Sequence, residues 1–156
     1  MATIEDDLRF LITTLQDERK DTHDELATCA VPGTFGEAWE LFRALCNTRL
    51  PIPASAEFLA KQDKLLHAII SEEGITYAGL IPPCKGDPNI AVWKGDITTL
   101  AADAIVNAAN SQLLGCWVPG HHCIDNAIHT FAGVQLRLEC AAIMKAQGHE
   151  EPTGQA

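Results

Sequence analysis

Cys116, His121 and Cys123 gather two sulfur donors and an imidazole on one short stretch, Gly115-Cys116-Trp117-Val118-Pro119-Gly120-His121-His122-Cys123-Ile124-Asp125-Asn126. Pro119-Gly120 can fold that stretch back on itself, and a turning loop of this kind can bring such donors around one zinc ion, which prefers tetrahedral sulfur and nitrogen ligation. The spacing is not that of a zinc finger, whose four ligands come in two pairs. Three protein ligands leave a coordination position open, and an open position belongs to a catalytic zinc that holds water or a substrate oxygen. The same spacing also fits two structural thiols and two polar histidines that fall near a turn. His122 competes with His121, but neighbouring residues of an extended loop point to opposite sides. His129 reads as a packed helix residue. Asp125 falls at a helix start, where free amides and the helix macrodipole favour a carboxylate cap.

Two weaker signals lie upstream. Lys94-Gly95-Asp96-Ile97-Thr98 follows a strand-like run with a glycine and then a carboxylate, a position at a sheet's C-terminal edge where open α/β folds bind ligands. Asp96 is equally at home in a turn. Asn107-Ala108-Ala109-Asn110-Ser111 places two amides among small residues. Such amides can read ribose hydroxyls as donor and acceptor, and asparagine is also an ordinary loop former.

The elements that must position these groups fall into two parts. Residues 1–80 read as a helical layer. Thr3-Ile4-Glu5-Asp6 has the form of a capping box, followed by Ile4, Leu8, Leu11, Ile12 and Leu15 at helical spacing, with Asp7, Arg9 and Asp17 left for the wet face. Thr34-Phe35-Gly36-Glu37 repeats the cap pattern ahead of Ala38, Leu41, Phe42 and Leu45. A third helix follows the Pro51–Ser55 turn and stops at Gly74. The segment Ile81-Pro82-Pro83-Cys84-Lys85-Gly86-Asp87-Pro88 is too rich in Pro and Gly for regular structure. Beyond it the chain reads as α/β, with strands at Ile90 to Lys94 and Asp103 to Asn107, a helix from about Ile124 to Ala132, and, after an interruption at Gly133, a helix ending near Gly148. Two strands are few for a sheet that buries both faces.

Composition narrows the class. With 21 acidic and 11 basic residues the formal charge is −10, which argues against non-specific binding to nucleic acid or anionic membrane. The chain is 47% hydrophobic and 21% charged, as a globular chain is. No apolar run approaches the roughly 20 residues that span a bilayer, and the start Met1-Ala2-Thr3-Ile4-Glu5-Asp6-Asp7 is acidic where a signal peptide is basic. The expectation is a soluble cytoplasmic protein whose six cysteines are thiols, ligands or catalytic groups.

Taken in order, Gly95-Asp96-Ile97-Thr98, Ile105-Val106-Asn107-Ala108-Ala109-Asn110, Cys123-Ile124-Asp125-Asn126-Ala127-Ile128-His129, Ala132-Gly133 and Glu139-Cys140 resemble the macrodomain family of ADP-ribose-binding modules. Most macrodomains have a glycine-rich loop where this chain has Cys116 to Cys123. That substitution resembles the zinc-dependent branch found with sirtuin-type ADP-ribosyl transferases in bacteria and fungi, whose members carry a helical N-terminal extension. The resemblance implies an α/β fold with a macrodomain-like mixed sheet flanked by helices, incomplete in this chain. It implies an extension over 1–80 and the N-terminal portion of a macrodomain over 89–156.

It further implies residue roles. Asp96 would accept from the adenine amine, with the Ile97 amide facing the base. Asn110 would hold the distal ribose and Asn107 would shape its loop. Cys116, His121 and Cys123 would hold Zn2+ beside that ribose, and Asp125 matches the acidic residue of the family's first substrate loop. The implied reaction is zinc-dependent hydrolysis that removes mono-ADP-ribose from a modified protein side chain, catalysed with Asn110 and Asp125. A reader module that binds ADP-ribose over a structural zinc, without turnover, is the alternative. Macrodomains continue with further strands, a second phosphate loop and a last helix, so the expected partners are an ADP-ribosylated protein and the remaining macrodomain fragment as an associated chain.

Overall fold

The computed structural model describes residues 3–22 and 24–155. Met1, Ala2, His23 and Ala156, which fall within the expected extension and macrodomain segments, lie outside the described residues. The protein is a mixture of α-helices and short two-stranded sheets, divided into two compact units: Met1–Leu66 with Asn107–Ala156, and His67–Val106.

Helices build the first unit. Thr3 caps α1 (Ile4–Asp17) in a complete capping box, its hydroxyl accepting from the Asp6 amide while Asp6 accepts from the Thr3 amide. Thr34 caps α3 (Phe35–Asn47), and Ser55 accepts from the Phe58 amide at the start of α4 (Ala56–Glu73). A short α2 (Glu25–Thr28), capped by Asp24, lies between α1 and α3 in sequence. The apolar stripe of α1 packs along α3, and Leu8, Leu11, Ile12, Leu15, Phe42, Leu45, Phe58 and Leu65 are buried together as the core. Trp39 of α3 stacks on Phe42 and tilts against Phe131 of α5 (Ile124–Phe131), which joins α5 to the same core.

Asp7 corrects the wet-face expectation. It is 1% exposed, because α4 covers that side of α1 and brings Lys61 Nζ to 2.9 Å and Lys64 Nζ onto its carboxylate. These two bonds, Lys64 first, hold the Asp7 pKa below the usual carboxylate range.

Gln62 of α4 sets the last helix, α6 (Val134–Gln147). Completely buried, it accepts from the Val134 amide at 2.9 Å, satisfying one free amide of the first turn of α6, and donates to Gln135 Oε1 at 2.8 Å. Gly133 makes this approach possible. Its φ is +82°, and a Cβ there would lie 2.3 Å from Gln62 Nε2. The sequence break at Gly133 is therefore a point where another side chain replaces the one glycine lacks.

In the second unit, β1 (Thr76–Tyr77) pairs in parallel with β4 (Leu100–Ala101), in the register Thr76 opposite Leu100. The segment expected to be irregular forms an antiparallel hairpin instead. β2 (Pro83–Cys84) turns through Lys85-Gly86 into β3 (Asp87–Ala91). A two-residue turn with glycine suits a hairpin, and each proline sits where a pair of edge strands tolerates a missing donor. The first expected strand is thus displaced toward the N-terminus, overlapping β3 only at Ile90 and Ala91. Asp103 to Asn107 forms no strand. Ile105 and Val106 are exposed, and among the described residues no strand lies beside them to take their backbone hydrogen bonds. No helix among the described residues is long and apolar enough to cross a membrane.

Two variants test these contacts. Asp7→Asn should lower stability by on the order of 1–3 kcal/mol at neutral pH, read by denaturant unfolding. Because the folded carboxyl pKa is depressed, its contribution is present above about pH 4 and is lost as pH falls through the folded value, so the Asn variant should show a shallower acid-side loss. Gly133→Ala should cost about 2–4 kcal/mol, combining left-handed backbone strain with displacement of Gln62. An unchanged melting temperature would exclude that close approach.

Candidate metal centre

The loop from Gly115 to Cys123 is seated on α3, α5 and α6. At its start Gly115 has φ +78°, and a Cβ would meet the His129 ring at 2.8 Å, so backbone lies directly on imidazole. Asn110 reaches in from upstream, donating from Nδ2 to the Gly115 carbonyl at 3.1 Å. Arg137 of α6, 5% exposed, holds the next two residues: its guanidinium lies 4.2 Å from the Trp117 ring and Nη2 donates to the Cys116 carbonyl at 3.5 Å. A turn closed by the His121 amide donating to the Val118 carbonyl then reverses the chain.

That reversal brings the three donors together. His121 Nδ1 lies 3.4 Å from Cys116 Sγ, and the ligating atoms of Cys116, His121 and Cys123 all lie within 4.8 Å of one another. Donors on a tetrahedral zinc with bonds of about 2.0–2.3 Å stand about 3.3–3.8 Å apart, so a small contraction suffices to accommodate the ion. Burial raises the Cys116 pKa, and the neighbouring Cys123 and Asp125 act in the same direction against a lowering hydrogen bond from the Val118 backbone. His122 faces elsewhere: its Nδ1 lies 3.0 Å from Arg43 Nη1.

Cys123 also caps α5, its sulfur accepting from the Asn126 amide at 3.4 Å. This displaces the capping role expected of Asp125. The Asp125 carboxylate is 6% exposed, accepts from Asn107 Nδ2 at 2.7 Å, and lies 3.6 Å from His129 Nε2 one turn along α5. Burial lowers the His129 pKa, with Asp125 opposing, and the ring packs in the interior as a helix histidine.

The upstream residues divide between the units. Asn107 and Asn110 belong to the first. Asn110 Oδ1 accepts from the Gln112 amide at 3.0 Å, so both ends of its side chain brace the loop. Asp96 and Ile97 belong to the second unit. Asp96 caps a 3-10 turn, accepting from the Thr98 amide at 2.8 Å and the Thr98 hydroxyl at 2.7 Å, as its turn reading anticipates.

Sequence reasoning missed Arg43, Asn47 and Arg137, which hold the loop from outside. No local pattern announces their partners: Arg43 and Asn47 meet the loop 79 and 73 residues onward, and Arg137 meets Cys116 21 residues back while anchored on the Asn47 carbonyl 90 residues back.

Residues 106–156 match the Macro domain family. Over 149 residues the chain is 50% identical to a Protein-ADP-ribose hydrolase of Staphylococcus aureus (strain Mu50), covering 96% of this chain and 54% of that protein. It is 51% identical over 149 residues to a Protein-ADP-ribose hydrolase of Treponema medium, covering 94% of this chain and 56% of that protein. A Probable bifunctional ADP-ribose hydrolase/ADP-ribosyltransferase of Fusarium oxysporum f. sp. cubense is 40% identical over 124 residues, 74% of this chain and 21% of that protein. The chain spans about half the length of the two bacterial relatives. The Cys-His-Cys centre thus lies in the segment that matches the Macro domain family, within a chain similar over nearly its whole length to proteins named protein-ADP-ribose hydrolases.

Proposed function

We propose that this chain supplies the zinc-binding, ribose-facing part of a protein-ADP-ribosyl hydrolase that removes mono-ADP-ribose from modified side chains. The observation that carries the reading is the convergence of Cys116, His121 and Cys123 inside the Macro-matching segment. The names of the relatives support the substrate class. These three residues would hold the zinc, which when bound supplies a Lewis acid able to orient a ribose hydroxyl or polarise water.

The protein's own groups would do the rest. Asn110 holds the distal ribose: a primary amide has two N–H groups and two acceptor sites, so the bonds to Gly115 and Gln112 leave capacity for hydroxyls. Asp125 acts beside it as the catalytic carboxylate, oriented by Asn107. Asn107 Oδ1 is buried without a hydrogen-bond partner among the described residues, an acceptor that a hydroxyl would satisfy. Asp96 and the Ile97 amide take the adenine edge. A polypeptide completing the relatives' length is the expected partner in the full activity.

The second reading is an ADP-ribose-binding module without turnover. The burial of Asp125, already paired with Asn107, favours it, because a carboxylate so engaged is poorly placed to move protons. Incubation of the chain, together with a polypeptide completing the relatives' length, with a mono-ADP-ribosylated protein separates the two. Release of free ADP-ribose that is lost on chelation supports the hydrolase; binding without release supports the module.

Two substitutions refine the assignment. Cys123→Ser keeps a capping oxygen for α5 but loses the thiolate. Its metal-free stability should stay within about 1 kcal/mol of the parent, while zinc content by elemental analysis drops to near zero. Full zinc occupancy in that variant would remove Cys123 from the ligand set. Asp96→Ala should weaken ADP-ribose binding about ten- to a hundredfold, the loss of a charge-assisted bond of about 1.5–3 kcal/mol. Calorimetry showing unchanged affinity would place the adenine elsewhere.

A further inference from the structure

His121 owes its orientation to its two chain neighbours, and both are tied to α3. Asn47 Oδ1 accepts from the Gly120 amide at 3.1 Å, and Arg43 Nη1 lies 3.0 Å from His122 Nδ1 while also bonding Glu40 at 3.0 Å. Arg43 and Asn47 are four residues apart, hence neighbours on one face of the helix. With the Gly120 amide and the His122 ring both held on α3, the backbone on either side of the intervening residue is fixed, and with it the direction of that residue's side chain. That residue is His121, and what it meets is Cys116.

The same guanidinium touches the second sulfur's support. Arg43 Nη2 donates to Asn126 Oδ1 at 3.4 Å, and the Asn126 amide donates to Cys123 Sγ. Arg43 is 6% exposed and Asn47 1%, so neither is a mobile surface group. Both sit in the helical part of the chain, outside the segment that matches the Macro domain family.

We infer that Arg43 and Asn47 are positioning residues of the metal site, which from α3 select His121 over the adjacent His122 as its nitrogen ligand. This rests on the zinc reading proposed above. It makes the N-terminal helices a working part of the centre: the loop supplies ligands, and α3 decides which of two equivalent imidazoles faces the thiolates.

The test uses the full chain with Zn2+ in competition with a chromophoric chelator, and with Co2+ as a spectroscopic probe. In the parent and in His122→Ala, Co2+ should give the same tetrahedral thiolate-nitrogen spectrum, and His121→Ala should lose it. Asn47→Leu and Arg43→Ala should lower zinc affinity ten- to a hundredfold, the usual range for groups that orient a ligand, and should change the Co2+ ligand-field band as His121 loses its orientation. Asn47→Asp keeps the accepting oxygen and should return both readings toward the parent. If Arg43→Ala does not fold, the Asn47 pair decides alone. An unchanged Co2+ band in Asn47→Leu and Arg43→Ala, whatever the stability of those variants, overturns the inference and leaves the zinc reading standing. A parent protein that binds neither metal removes both.

Discussion

One buried guanidinium holds the candidate centre to the helical core. Arg137 donates from Nη1 to the carbonyls of Cys46, Asn47 and Arg49 at 3.1, 2.8 and 2.7 Å, and its other face stacks on Trp117 beside Cys116. The three carbonyls belong to the end of α3 and the residues just beyond, where unsatisfied oxygens and the macrodipole present negative charge. A cation there finds partners without a formal counter-ion. Burial depresses the Arg137 pKa, with Cys46, Asp125 and Cys116 opposing, but arginine's intrinsic value is so high that the group stays charged. A lysine, as a point charge, could not donate to the helix end and stack on the indole at once.

The last turn of α3 consequently serves two masters. Its backbone oxygens receive Arg137, and its side chains Arg43 and Asn47 face the loop that reverses at Pro119-Gly120. Packing around it is polar and directional, unlike the oily contact between α1 and α3. Such contacts fix the position of a loop to within hydrogen-bond tolerance, which the convergence of Cys116, His121 and Cys123 requires. Gln62 contributes at one remove: by satisfying the start of α6 it sets the helix from which Arg137 extends.

Local chemistry was readable from the chain. Thr3 and Asp6 form their capping box because both partners lie within one turn. The apolar stripes of α1 and α3 face the core because helical spacing places them on one side. The interruption at Gly133 follows from a single residue's freedom. Where readings failed, a distant partner decided. Asp7 is buried because two lysines of α4 reach it, and nothing in the first helix encodes their arrival. The Pro-Gly segment pairs as a hairpin because backbone pairing outweighs a composition suited to loops, whereas Asp103 to Asn107, apolar enough for a strand, stays irregular, with no strand among the described residues to pair with.

The candidate site divides in the same way. The sequence by itself singled out Cys116, His121 and Cys123, since all three lie on one turning loop whose own geometry can bring them together. It also admitted a turn role for Asp96 beside an adenine-binding one, and a side chain bonding two residues onward needs no tertiary help. Only the tertiary structure decided what His122 turns toward, that Cys123 rather than Asp125 caps α5, and that Asp125 lies against Asn107 and His129. The reason is reach. Residues within a turn of one another constrain each other through backbone geometry, but the direction of a loop side chain is set by whatever surface the loop lies on. Here that surface is built by α3 and α6, from residues far away in the chain.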